Sequence, residues 1–97
     1  MNQLIFHPEA QDELFSAIGY YNEQTPGLGV IFFEEIERSI NNINKNPKRW
    51  KICAKKVRQC IVPRFPFSIF YIYNSNTIYI VAIAHNKQNP NYWKESF

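Results

Sequence analysis

Seven of the chain's eleven cationic side chains fall between Lys45 and Arg58, and they dominate whatever chemistry this sequence can do. The run comprises Lys45, Lys48, Arg49, Lys51, Lys55, Lys56 and Arg58, with no carboxylate among them and with Trp50 interleaved. Such a run reads either as a solvated face or as a surface for phosphates or an acidic protein. The missing acids and the embedded tryptophan favour the binding surface. Arg64 and Lys87 lie beyond the run. His85 is the only histidine in residues 45–97 and can titrate near neutrality. Its plainer reading, which we favour, is a hydrogen-bonded strand-end residue that fixes the turn after it. No carboxylate lies close in sequence to serve it as a base. Tyr71, Tyr73 and Tyr92 can stack on nucleobases, although strand tyrosines commonly pack across strands. Cys53 and Cys60, seven apart, match neither a CxxC nor a metal-ligand spacing. Reduced thiols are expected, with a hairpin disulfide left open; no metal or cofactor is expected.

The net charge of +3 hides a split. Residues 1–44 carry −6 and residues 45–97 carry +9. At 97 residues the chain is expected to form one domain over 1–97, being too short for two well-packed ones. Hydrophobic residues at 45% suffice for one core, and charged residues at 20% exclude a disordered polymer. Aromatics reach 16%, and most are expected in the core. No apolar run approaches the roughly 18–20 residues that span a bilayer. The first residues lack the basic and apolar regions of a targeting signal, so a cytoplasmic protein is expected.

The elements that must position these groups follow from periodicity. Leu4 to His7 reads as a short strand, and Pro8 suits the first position of a helix. Ala10, Leu14, Ala17, Ile18 and Tyr21 recur at helical spacing, with Glu9, Asp12 and Glu13 near the positive end of the dipole. Gln24 to Gly27 breaks this helix. A second runs to about Asn44, with Val30, Phe33, Ile36, Ile40 and Ile43 as its expected buried stripe. Glu34, Glu35, Glu37 and Arg38 are assigned to its other faces, and Asn46-Pro47 ends it. Residues 48–56 read as a basic loop. Three strands follow, at Val57–Val62, Phe67–Tyr73 and Ile78–His85, and their short connections imply an antiparallel meander. Along the middle strand, Phe67, Ile69, Tyr71 and Tyr73 share one face. The nearly all-apolar last strand is expected inside the sheet, under the helices. A helical turn is expected around Trp93. The result is an α+β fold ordered β-α-α-β-β-β, a helical hairpin packed on a small, mostly antiparallel curved sheet. The sheet's other face is expected to collect the bases.

This ordered set resembles the RelE/ParE superfamily of toxins from bacterial type II toxin–antitoxin systems. The resemblance runs the length of the chain. It rests on Pro8-Glu9-Ala10, Asp12-Glu13-Leu14, Tyr20-Tyr21, Val57-Arg58, Arg64-Phe65-Pro66-Phe67 and Ile69-Phe70-Tyr71. The closing stretch, His85-Asn86-Lys87-Gln88-Asn89-Pro90 with Tyr92-Trp93, is similar to the ending of ParE-like (plasmid stabilisation) members. One departure stands out: the basic pair after the histidine, usually arginine-rich, is Lys87-Gln88 here. Lysine keeps a point charge and loses the two-pronged fork.

The resemblance implies a toxin neutralised by a cognate antitoxin, whose segment is expected to be helical and acidic and to fold as it wraps the exposed sheet and the basic loop. ParE-like members inhibit DNA gyrase without known catalysis. RelE-like members cut mRNA on the ribosome, which needs a base, an acid and cations around the scissile phosphate. The gyrase reading is preferred, with no enzyme activity expected. The nuclease and an inactive antitoxin-binding member are the alternatives. Candidates for cleavage are Arg58, His85, Lys87 and Tyr92, and candidates for gripping a target or phosphate are Lys51, Lys55, Lys56, Arg58, Arg64 and Lys87.

Overall fold

The computed structural model describes residues 2–87. In chain order they form β1 (Gln3–Phe6), α1 (Pro8–Gln24), α2 (Leu28–Lys45), β2 (Ile52–Ala54), β3 (Val57–Ile61), β4 (Phe67–Asn74) and β5 (Thr77–His85). The strands make one five-stranded sheet ordered β1-β5-β4-β3-β2. β1 runs parallel to β5, and the other three pairings are antiparallel. The expected order is present with one addition. β2 arises inside the segment read as a loop, where Ile52 and Ala54 pair with β3 across a register irregularity.

Local chemistry sets the helix ends. Pro8 opens α1, and the His7 Nδ1 accepts the Glu9 amide proton at 3.2 Å. Gly27 precedes α2 with a left-handed φ of 88°, which glycine adopts without strain. The helices then cross closely at Gly29, whose amide donates to the Asn22 Oδ1 at 2.8 Å. A Cβ on Gly29 would lie 2.4 Å from the Ile18 carbonyl oxygen, so only glycine fits.

That crossing fixes which side of α2 faces inward, and it is rotated from the expected stripe. Gly29, Phe32, Ile36, Ser39 and Ile43 are buried. Val30 is 57% exposed and Phe33 39%. The bulky residues at 30 and 33 suggested a face one position away; the Gly29 contact overrides them. The same rotation buries Glu35, which was assigned outward. Its carboxylate is paired with Arg38, as a buried charge requires.

The main core lies between the helical hairpin and one sheet face, with Tyr71, Phe32, Ile36, Ile69, Ile80 and Ile83 fully buried. β4 alternates as expected, with Ile69 and Tyr71 in this core and Phe70 on the opposite side. In β5 the pairing jumps from Tyr71–Ile80 to Phe70–Ala82, leaving Val81 as a bulge. The bulge turns both Val81 and Ala82 outward and bends the sheet. The outer face is therefore not the basic surface expected. Val57, Phe70, Val81, Ala82 and Ala84 make a second buried apolar cluster there. The bases sit at its ends and edge, because this strand interior consists of apolar residues on both faces.

Beyond the end of β1, the Ile83 amide on β5 donates to the Glu13 carboxylate at 3.1 Å. An acid from α1 thus occupies a main-chain donor where no strand of the sheet reaches. Both cysteines are free thiols, Cys53 exposed and Cys60 buried.

Candidate target-binding surface

Arg58 sits on β3 opposite Tyr71 on β4. Its guanidinium donates to the Trp50 carbonyl at 2.6 Å and to the Lys48 carbonyl at 3.2 Å. The Tyr71 hydroxyl donates to the Pro47 carbonyl at 2.7 Å. The two side chains together clamp the segment that leaves α2, satisfying carbonyls that belong to no helix or strand. Burial pushes the Tyr71 phenol up to about 12, against the opposing pull of Arg58. Burial likewise pushes the Cys60 thiol up to about 11, with Arg49 acting in the other direction. Trp50 meets Tyr71 edge-on at 6.5 Å, and Arg49 lies over the Trp50 ring at 5.2 Å. Arg58 is thus engaged by main chain within the scaffold, rather than by the acidic helices.

The remaining bases fall at opposite ends of the sheet. Lys55 and Lys56 form the β2–β3 turn, Lys55 with a φ of 52°, and Lys56 lines a shallow groove with Ile72, Asn74 and Tyr79. Arg64 occupies the β3–β4 turn with a φ of 72°. The turn is held by the aromatics that follow it. Phe65 packs against Tyr21 and Phe32 at 5.1 Å each, and Phe67 lies 5.0 Å from Phe32. These rings root the turn in the helical hairpin and leave Arg64 exposed at its tip.

His85 ends β5 opposite Phe67, with ring centroids 5.4 Å apart. Its Nδ1 accepts the Lys87 amide proton at 3.1 Å. The Asn86 amide donates to the Pro66 carbonyl at 2.8 Å, tying the end of β5 to the Arg64 turn. Arg64, His85 and Lys87 therefore share one end of the molecule. Tyr20, Tyr21, Pro66, Phe67 and His85 line a groove of about 510 Å³ there. Tyr20 is 57% exposed. The Tyr21 hydroxyl is held above its ordinary range by burial, helped by Tyr20.

Among the described cleavage candidates, Arg58 does not converge with His85 and Lys87. Arg58 faces Tyr71 and His85 faces Phe67, and four residues of strand at roughly 3.3 Å each put about 13 Å between those levels. Tyr92 lies outside the described residues, as do Gln88 and the turn expected around Trp93. Among the described residues no three His, Cys, Asp or Glu side chains gather to hold a metal. None of their helices is long and apolar enough to cross a membrane.

Two features escaped the sequence reading. Tyr20 was noted only as part of a signature and Tyr21 also as part of the first helix's apolar stripe, and their place beside His85 depends on how α1 packs. A polar chain also crosses the sheet, from the Gln59 amide to the Ser68 hydroxyl at 3.0 Å and on to the Asn86 Oδ1 at 2.6 Å. Alternation along β4 places Ser68 outward, but its partners come from β3 and from the turn after β5 and carry no local signal.

The sequence matches, over residues 4–90, the family described as the ParE toxin of the type II toxin–antitoxin system parDE. The chain belongs to the ParE toxin family. It is therefore a ParE-like toxin component of a type II toxin–antitoxin system. A solved structure described as the chromosomal ParDE system from P. aeruginosa is similar in fold, with a TM-score of 0.78 at 18% identity, covering 88% of this chain and 96% of that one. Comparison with curated proteins gives no significant match. For a ParE-type chain the Arg64 turn and the β5 exit are the parts of the resemblance that the structure brings together, whereas Arg58 stands apart.

Proposed function

We propose that this ParE-type toxin acts in the cytoplasm by binding DNA gyrase and blocking it, without cutting RNA. The family match over residues 4–90 supports the reading. The observation that carries the choice between binding and cleavage is the engagement of Arg58. A phosphate-gripping arginine works best with its fork unengaged, whereas Nη1 of this one already donates to the Lys48 and Trp50 carbonyls and ties the side chain to the scaffold. Target contact then falls to the cations at the margins: Arg64 and Lys87 at the His85 end, Lys55 and Lys56 at the other, and Lys51 along the outer edge. Tyr20 and His85 add an aromatic and polar floor between Arg64 and Lys87. The cognate antitoxin neutralises the toxin by covering these cations.

Expression without the antitoxin tests the proposal in cells. Growth should stop, and co-expression of the adjacent antitoxin gene should restore it. Arg64→Ala combined with Lys87→Ala should relieve the arrest while the protein still accumulates in folded form. Unimpeded growth on expressing the unaltered toxin contradicts the proposal and favours an inactive member that only binds an antitoxin.

A further inference from the structure

The sheet has two margins, and only one of them is defended. Among the described residues β2 ends the sheet on one side, flanked by Lys51 and Lys55 and paired in an irregular register. Cations beside an edge strand and irregularities within it keep that strand from pairing with other chains. β1 ends the sheet on the other side, and its residues, Gln3 to Phe6, include no charge and no proline and pair in regular register. We propose that β1 is a self-association edge, pairing antiparallel with β1 of a second copy of this chain about a twofold axis at Ile5. The two sheets then become one. This inference is independent of what the toxin inhibits.

The main chain of β1 fits this pairing. The Gln3 amide donates to the Asn76 carbonyl and the His7 amide to the Ile80 carbonyl, both at 2.9 Å. Backbone groups alternate sides along a strand, so Gln3, Ile5 and His7 serve β5. The N–H and C=O groups of Leu4 and Phe6 therefore point away from the sheet. Setting Ile5 opposite Ile5 of the copy places Leu4 opposite Phe6, and each such pair exchanges both hydrogen bonds. Every outward group of the strand is used in this register. Beyond Phe6 the margin is closed, because the Ile83 amide of β5 is already taken by the Glu13 carboxylate.

The side chains match as well. Leu4 is 43% exposed and Ile5 38%. Leu4 and Phe6 share one face of β1, where with Phe33 and Ile40 they line a groove of about 260 Å³ between the strand and the helices. Ile5 lies on the other face, in register with Tyr79. Across the seam Leu4 meets Phe6 and Ile5 meets its own counterpart, so apolar side chains pair on both faces. An uncharged strand suits its own copy better than a charged partner strand. The pairing joins two halves that each carry −6 over residues 1–44 and leaves the basic margins at the far ends. That repulsion is screened by salt, so this association should tighten as salt rises. Contact between the acidic hairpin of one copy and the basic margin of another would instead loosen.

The test is sedimentation velocity on the purified full chain over a range of concentration, in low and high salt, with residue-resolved amide exchange alongside. We expect monomer to pass into a closed dimer, more readily in high salt. Exchange at the Leu4 and Phe6 amides should slow in step with dimer formation, while Gln3, Ile5 and His7 stay as protected as in the monomer. Leu4→Pro removes an outward N–H without touching the ladder to β5, and Ile5→Lys sets like charges opposite each other on the axis. Each should raise the dimer dissociation constant about tenfold or more while the chain stays folded. A chain that remains monomeric at every concentration overturns the inference, as do folded variants that dimerise like the parent. Association that loosens with salt overturns it in favour of contact between acidic and basic halves. Slowing at Leu4 and Phe6 only when the antitoxin is bound overturns it in favour of that partner.

Discussion

Arg58 carries one of the charges that make this chain basic, yet its guanidinium is tied through Nη1 to the Lys48 and Trp50 carbonyls. Hydrogen bonds from a charged donor contribute about 1.5–3 kcal/mol, and removing the donor strands its acceptors. Arg58→Ala should therefore lower unfolding free energy by about that amount in urea titration. Arg58→Lys should recover only part, since the flexible lysine stem lacks the planar, preorganised guanidinium that holds Nη1 between both carbonyls. Unchanged stability in the alanine variant would place the arginine in solution, available to a target. The neighbouring Tyr71 and Cys60 set a pH dependence. Both pKa values are raised in the folded state, to about 12 from 10.0 and to about 11 from 9.0. The folded protein holds these protons longer than the unfolded chain does, so their contribution is fully present below pH 9. It is lost as pH rises through about 9 to 12. Melting temperature should fall across that window, and Cys60→Ala should remove the lower part of the slope after allowance for its own packing loss. A flat profile over the same range would show that neither group is buried as described.

The elements depend on one close crossing. Gly29→Ala would normally help a helix by about 1 kcal/mol, but here the new Cβ meets the Ile18 carbonyl at 2.4 Å and the Asn22 side chain at 2.6 Å. Overpacking of this kind costs about 1–3 kcal/mol, so the variant should melt lower; a higher melting temperature would mean the helices are farther apart. Gly29 also explains what the sequence withheld. Element order and type were legible because α1, β4 and β5 carry long periodic patterns. The inward face of α2 was not, because a glycine contact sets its rotation and the bulkier Val30 and Phe33 point elsewhere. β2 was hidden for a different reason: three residues between lysines give no alternation to read. Within the candidate surface, the identity of the cations was plain from composition. Their division between the two ends of the sheet, and the commitment of Arg58 to carbonyls ten and eight residues back, came only from long-range register.

For the whole molecule, the proposed function assigns support to the acidic hairpin and recognition to the basic sheet margin. Aromatic packing of Phe65 and Phe67 against Tyr21 and Phe32 joins them, so that Arg64, His85 and Lys87 are held at one end by the same core that stabilises the fold. Function and stability should then separate by position. Arg64→Ala and Lys87→Ala alter exposed side chains and should change stability by no more than about 0.5 kcal/mol, while weakening target inhibition, and less so at higher salt, where screening already reduces what these charges contribute. Equal loss of stability and inhibition would make these residues structural. The central claim, inhibition of gyrase by binding, is tested most directly by titrating the purified toxin into a gyrase supercoiling reaction beside a cell-free translation reaction. The account predicts loss of supercoiling with translation unaffected. Translation arrest with supercoiling intact would contradict it.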